Sequence, residues 1–265
     1  MSSIEQRRGV LAFALAIAAC APLAAGAQEA LDHILSRKQI TIAIPTDYPP
    51  YGFVGTDLKP QGLDIDMARY IAAKLGAEVE LLPVTSANRI PYLQTHKADL
   101  VISTLGKNAE REKVIDFTAA YSPFFQAVFA PKTTTIRSWA DLAGKTVGVT
   151  RGAMEDMEMA KLAPAAADIR RFEDNNATVS AFVFGQVEVV ATSASVAGNM
   201  MARNPQLNAE FKLLIKESPN FIGVAKGEDK LRLKVNEIIA AAKAAGDLDR
   251  MSQKWLGRPA GDLPE

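Results

Sequence analysis

Residues 146–162 read Thr146-Val147-Gly148-Val149-Thr150-Arg151-Gly152-Ala153-Met154-Glu155-Asp156-Met157-Glu158-Met159-Ala160-Lys161-Leu162, and their pattern decides the fold class. TVGV at 146–149 is short and β-branched, which reads as a strand. Arg151-Gly152 reads as a turn and 153–162 as a helix. An earlier segment has the same design. Residues 99–103 (DLVIS) read as a strand, Thr104-Leu105-Gly106 follow, and a helix is expected near Asn108 with Arg111 in its first turns. Each corner places backbone N–H groups at the positive end of a helix. The carboxyl ends of parallel strands are where open α/β sheets bind ligands. On spacing alone two readings stay open: facing anion sites, or ordinary corners with satisfied caps.

Working outward, residues 39–44 (QITIAI), 79–84, 169–172, 187–191 and 221–225 read as further strands. Residues 62–75 read as a helix, because Ile65, Ala68, Ile71, Ala72 and Leu75 share one face and Gly76 stands at the stop position. Further helices are expected at 90–94, 177–184, 231–245 and 248–255. The apolar stretch 179–202 contains Gln186, Glu188 and Asn199, so it reads as a buried helix and a buried strand, not a membrane span. Strands alternating with helices predict parallel sheets and the α/β class.

Composition narrows the function. Thirty Lys+Arg balance thirty Asp+Glu, which argues against a nucleic-acid binder. Cys20 is the single cysteine, so neither a disulfide framework nor a cysteine metal cluster is possible. His33 and His96 have no partner at ligand spacing. Dinucleotide, P-loop, nucleophile-elbow and zinc-protease motifs are absent from the sequence. No metal and no cofactor are expected, and no activated nucleophile is visible.

The N-terminus reads as a targeting segment. Arg7 and Arg8 precede an apolar run over residues 10–19, which as a helix spans about 15 Å, half a bilayer core. Ala25-Gly26-Ala27 then has the small-x-small form of a signal-peptidase site. Cleavage after Ala27 is expected, with a mature chain of residues 28–265 outside the cytoplasm. Ile17-Ala18-Ala19-Cys20 offers the alternative of lipidation at Cys20.

Several pieces, taken in order, resemble the extracytoplasmic solute-binding proteins, family 3, that feed ABC importers of polar amino acids. They are Tyr48-Pro49-Pro50-Tyr51-Gly52-Phe53, Gln61-Gly62-Leu63-Asp64-Ile65-Asp66, Ser103-Thr104 through Glu110-Arg111, Asp116-Phe117-Thr118, residues 142–149 (LAGKTVGV) and Lys254-Trp255-Leu256-Gly257. The resemblance implies a two-lobe periplasmic-binding-protein fold (type II), with two crossover strands and a ligand cleft between the lobes. Lobe 1 is expected at 28–127 plus 218–265, and lobe 2 at 128–217. A monomer, delivering its ligand to a permease in the inner membrane, is implied as well.

The same resemblance assigns residues. Arg111 corresponds to the arginine that pairs with the ligand α-carboxylate, a match of planar guanidinium to carboxylate. Thr104, Ser103 and the N–H of Gly106 stand beside it. Gly152, Ala153 and Met154 are expected to give backbone N–H groups from lobe 2, and Tyr48 an apolar wall. Thr85-Ser86-Ala87-Asn88-Arg89-Ile90-Pro91-Tyr92-Leu93 looks like the loop of the glutamate/aspartate-binding branch, where the serine and arginine meet the side-chain carboxylate. Ser86 and Arg89 therefore point to an acidic ligand.

The chain also departs from that pattern. The family places an aspartate for the α-ammonium where this sequence has Ser193, and a hydroxyl cannot supply the charge. Either another acid such as Asp47 takes over, or the ligand is a carboxylic or dicarboxylic acid without an ammonium. Periplasmic cyclohexadienyl dehydratases share the implied fold, but their acid is missing from Ala194-Ser195-Val196-Ala197-Gly198. A sensor ectodomain working with a partner protein is a third class. A binding protein, not an enzyme, is the expectation.

Overall fold

The computed structural model describes residues 30–264. The targeting segment, with Cys20 and the Ala27 site, lies outside them. The chain opens with α1 (Ala30–Arg37), β1 (Gln39–Ile44), β2 (Asp47–Tyr48), β3 (Gly52–Val54) and β4 (Pro60–Gln61). It continues through α2 (Leu63–Leu75), β5 (Glu78–Pro83), α3 (Arg89–Gln94), β6 (Leu100–Leu105), α4 (Ala109–Glu112) and β7 (Ile115–Ser122). It then crosses to a second lobe: β8 (Phe125–Pro131), β9 (Thr146–Thr150), α5 (Met154–Leu162), β10 (Asp168–Phe172), α6 (Asn175–Val183), β11 (Val189–Ser193), α7 (Ala194–Arg203) and β12 (Ala209–Glu217). It returns with β13 (Asn220–Ala225), α8 (Asp229–Ala244) and α9 (Asp247–Leu256).

Each lobe holds one five-stranded sheet, ordered β5-β1-β6-β13-β7 and β10-β9-β11-β8-β12. Three neighbouring strands of each pair in parallel, and the two at one side are joined by antiparallel pairings, so that β13 and β8 each run against the other four strands of their sheet. The sheets are thus mixed, where strand–helix alternation predicts purely parallel ones. The reason is the crossings. β7 passes straight to β8 and β12 straight to β13, with no helix to reverse the direction. The two links, at 123–124 and 218–219, lie side by side, with Ser218 N–H donating to the Phe124 carbonyl at 3.0 Å. The stretch 179–202 also differs from its reading, since β11 is followed by α7.

The segment 61–66 ties lobe 1 together through three residues. Gly62 turns into α2 at φ 132°, and a Cβ there would sit 2.2 Å from the Tyr51 carbonyl oxygen, so only glycine fits. Asp64 is buried and bonds two other elements: Thr104 N–H at 2.9 Å and the Tyr121 hydroxyl at 2.7 Å. Asp66 anchors the C-terminal helix by accepting from Trp255 Nε1 at 2.7 Å and Lys254 Nζ at 2.6 Å. The predicted apolar face of α2 (Ile65, Ala68, Ile71, Ala72, Leu75) is buried throughout, and Gly76 caps the helix at φ 65°.

Gly62→Ala is expected to lower unfolding free energy by more than about 2 kcal/mol, since it combines a positive φ with a backbone clash. Urea unfolding of the two chains measures the difference.

Candidate functional site

The ends of β6 and β9, with the loops after them, face each other across the junction of the lobes. On the lobe 1 side, Arg89 is 4% exposed and Arg111 6% exposed. Arg89 Nη2 donates to Ser86 Oγ, and Arg89 Nη1 to the Thr104 carbonyl at 3.3 Å. Arg111 Nη1 donates to the Gly106 carbonyl at 2.7 Å and Nη2 to the Gly152 carbonyl, across the junction, at 3.0 Å. Among the described residues neither guanidinium forms an ion pair with a carboxylate. Arg89 Nε and Ser103 Oγ, both buried, have no hydrogen-bond partner among them. Burial pushes Arg111 down to about 10, with Arg89 adding to the shift and Glu155 opposing it. Two buried guanidinium groups close enough to repel each other are costly without an anion.

Thr104 is held in an unusual conformation. Its φ is 43°, rare for a β-branched residue. Asp64 Oδ2 accepts its N–H, and its carbonyl accepts from Arg89. The two bonds orient this peptide so that the arginine is aimed by a neutral oxygen rather than neutralised. Burial pushes the Asp64 carboxyl up to about 7, against the pull of its two hydrogen bonds and of Arg89.

Tyr48 is the main bridge from lobe 1 to lobe 2. Its hydroxyl lies 3.2 Å from Thr192 Oγ1, accepts the Ser193 N–H at 3.2 Å, and reaches Glu155 Oε1 at 3.5 Å. Its ring stacks on Tyr51 with centroids 6.0 Å apart, and both rings pack on Phe124 in the first crossing. Tyr48, expected as an apolar wall, thus has its ring against two aromatic rings and its hydroxyl on lobe 2. Tyr51 reaches Ser195 Oγ at 3.4 Å. The lobes are closed on each other.

Gly152 of lobe 2 lies against Ala87 of lobe 1. A Cβ on it would lie 2.9 Å from Ala87 Cα, and its φ is 73°. Its N–H is spent on Asp156 Oδ2 at 3.1 Å, and the Ala153 N–H on the Thr150 carbonyl at 3.0 Å. Two of the three donors expected there, the N–H groups of Gly152 and Ala153, are therefore engaged within the turn, and the Gly152 carbonyl is what meets Arg111. Met154 is buried, with its methyl end near the α-carbon of Gly106. Ser193 Oγ accepts the Val196 N–H at 3.2 Å and so caps α7. Asp47 gives both oxygens to Asn175, with the closest contact, 2.7 Å, to the Asn175 N–H.

Glu155 was missed in the sequence. It is 4% exposed, in the first turn of α5, and burial raises its carboxyl while Arg89 and Arg111 pull it down. The signal was the pair Glu155-Asp156. Asp156 turns back to Gly152 and to Arg171, which leaves Glu155 facing the junction. The site can therefore hold a small charged ligand by hydrogen bonds and charge. Among the described residues no group of three His, Cys, Asp or Glu side chains could hold a metal ion.

A family model for bacterial extracellular solute-binding proteins, family 3, matches residues 40–258. The L-cystine-binding protein TcyJ of Escherichia coli (strain K12) is 26% identical over 251 residues, covering 94% of this chain and 94% of the relative. An ancestral arginine-binding protein bound to arginine superposes with a TM-score of 0.79 at 32% identity, covering 83% of this chain and 99% of the other. The ancestral amino acid-binding protein AncCDT-1, a precursor of cyclohexadienyl dehydratase, gives 0.77 at 30% identity over 85% of this chain and 98% of the other.

Two outcomes follow from the geometry. The raised carboxyl of Asp64 keeps a proton in the folded chain at pH values where the unfolded chain has lost it. The contribution of Asp64 to stability is therefore expected to be lost as pH rises from about 4 to about 7, and Asp64→Asn, compared with the parent chain in urea titrations, to remove that component. Gly152→Ala meets Ala87 only when the lobes are closed. It is expected to shift the molecule toward open forms, read as a larger radius of gyration in X-ray scattering.

Proposed function

Because the chain belongs to the bacterial extracellular solute-binding proteins, family 3, we propose that it captures an acidic amino acid between its lobes and delivers it to an ABC importer. The observation that carries the reading is the pair Arg89 and Arg111. Both are buried at the lobe junction, and among the described residues they are bonded only to neutral oxygens. Arg111 takes the α-carboxylate. Arg89, with Ser86 beside it and its Nε unpaired, takes the side-chain carboxylate. Relatives named for cystine and arginine support an amino acid as ligand class, and the two arginines support the acidic preference.

Lobe closure is the working step. A ligand that contacts both lobes binds the closed form more tightly and shifts the population toward it. A division into two lobes, expected at 28–127 plus 218–265 and at 128–217, is part of this proposal; the crossings at 123–124 and 218–219 support it, with β8 going wholly to lobe 2. So are an extracytoplasmic location, a permease partner, a monomeric state and the lack of an enzymatic role. A second reading, a carboxylate without an ammonium, draws on Ser193, whose hydroxyl is spent on a helix cap.

The test is a thermal-shift panel on chain refolded free of co-purified ligand, pairing glutamate with 2-oxoglutarate and aspartate with succinate, beside neutral and basic amino acids. A ligand at a hundred times its Kd adds about 2.7 kcal/mol, a shift of roughly 5–10 °C for a chain of this size. Glutamate or aspartate is expected to give it. A response confined to the amino-free acids establishes the second reading, and one confined to neutral or basic amino acids sinks both. Arg89→Ala is expected to weaken binding of the acidic amino acid at least about thirtyfold by calorimetry, because a buried charge loses its partner.

A further inference from the structure

We propose that Glu155 selects for an amino group on the ligand, its carboxylate taking the ammonium for which Ser193 has no charge to offer. The inference deepens the acidic amino-acid reading and rests on it.

Asp64 and Glu155 are the two buried acids among the described residues. Asp64 is occupied, with one oxygen on the Thr104 N–H and the other on the Tyr121 hydroxyl. Asp47, the acid the sequence nominates, is occupied by Asn175. Glu155 differs from both. Its carboxylate turns to its own backbone N–H, and the one bond it makes to another side chain is long, 3.5 Å from the Tyr48 hydroxyl to Oε1. A carboxylate has about four acceptor positions, so this one retains capacity for a donor. Its place fits the task, since it faces the junction from lobe 2 while both arginines face it from lobe 1.

The charges also match. Arg89, Arg111 and Glu155 present two positive groups and one negative group within electrostatic reach of one another. An acidic amino acid carries two carboxylates and one ammonium. Each buried charge then meets its opposite and the closed site is neutral. A dicarboxylate without the amino group leaves Glu155 beside two further anions, and a neutral amino acid leaves one arginine unmatched. Buried charges of one sign without a partner are what specificity by exclusion is made of.

Calorimetry on the refolded mature chain and on Glu155→Gln, with L-glutamate against glutarate and L-aspartate against succinate, tests the assignment. The parent chain is expected to favour an amino acid over its amino-free partner by at least about thirtyfold. Glu155→Gln is expected to lose most of that preference by weakening the amino acid, while the amino-free acid binds as well or more tightly. Retained binding of the amino-free acid shows that the variant is folded. The inference is overturned if Glu155→Gln keeps the parent's affinity for the amino acid, or if it weakens both partners alike. If the parent chain binds neither L-glutamate nor L-aspartate, the acidic reading itself fails and takes the inference with it.

Discussion

Two guanidinium groups buried side by side, bonded to carbonyl and hydroxyl oxygens, set the terms for the rest of this site. An ion removed from water loses several kcal/mol of hydration that neutral acceptors restore only in part. The carbonyls of Thr104, Gly106 and Gly152 fix where Arg89 and Arg111 point without cancelling their charge. In the proposed reading an anion closes that charge balance. Asp64 acts behind this arrangement. It keeps the Thr104 peptide in a conformation that a threonine resists, and that peptide aims Arg89.

Closure depends on groups of a different kind. Asp47 with Asn175, and Tyr48 and Tyr51 with Thr192, Ser193 and Ser195, join the lobes by bonds that need no ligand. Tyr48 and Tyr51 pack on Phe124, so the aromatic cluster reaches the first crossing between the lobes. The glycine at 152 lets the lobe 2 turn lie against Ala87, which brings its carbonyl within reach of Arg111. In the proposed function a ligand that contacts both lobes adds to these bonds, so affinity and the open–closed balance would be one equilibrium.

Much of this was legible in the chain. The period of α2 and its glycine stop were readable because a single helix buries a single face. The strand–turn–helix corners at Ser103 and Thr150 were readable because turn residues punctuate β-branched runs. β7, β8 and β12 were not read. The burial of β12 follows no two-residue period, and the direction of β7 and β8 is set by the sheets they join. α7 escaped because its apolar residues continue the run of β11, where length alone does not separate strand from helix.

The sequence by itself determined the α/β class, the order of the main elements and, through its family resemblance, the nomination of Ser86, Arg89 and Arg111. These rest on local periodicity and on motifs a few residues long. Only the tertiary structure decided which acids are free to act. Asp47, Asp64 and Glu155 are all carboxylates, and what separates them is the partner each finds far along the chain: Asn175 for the first, Thr104 and Tyr121 for the second, and for the third, beyond its own backbone N–H, a long contact with Tyr48. Hydrogen bonds between residues dozens to more than a hundred positions apart leave no trace in local pattern, so the acid that keeps room for a further donor became visible only when the lobes were seen together.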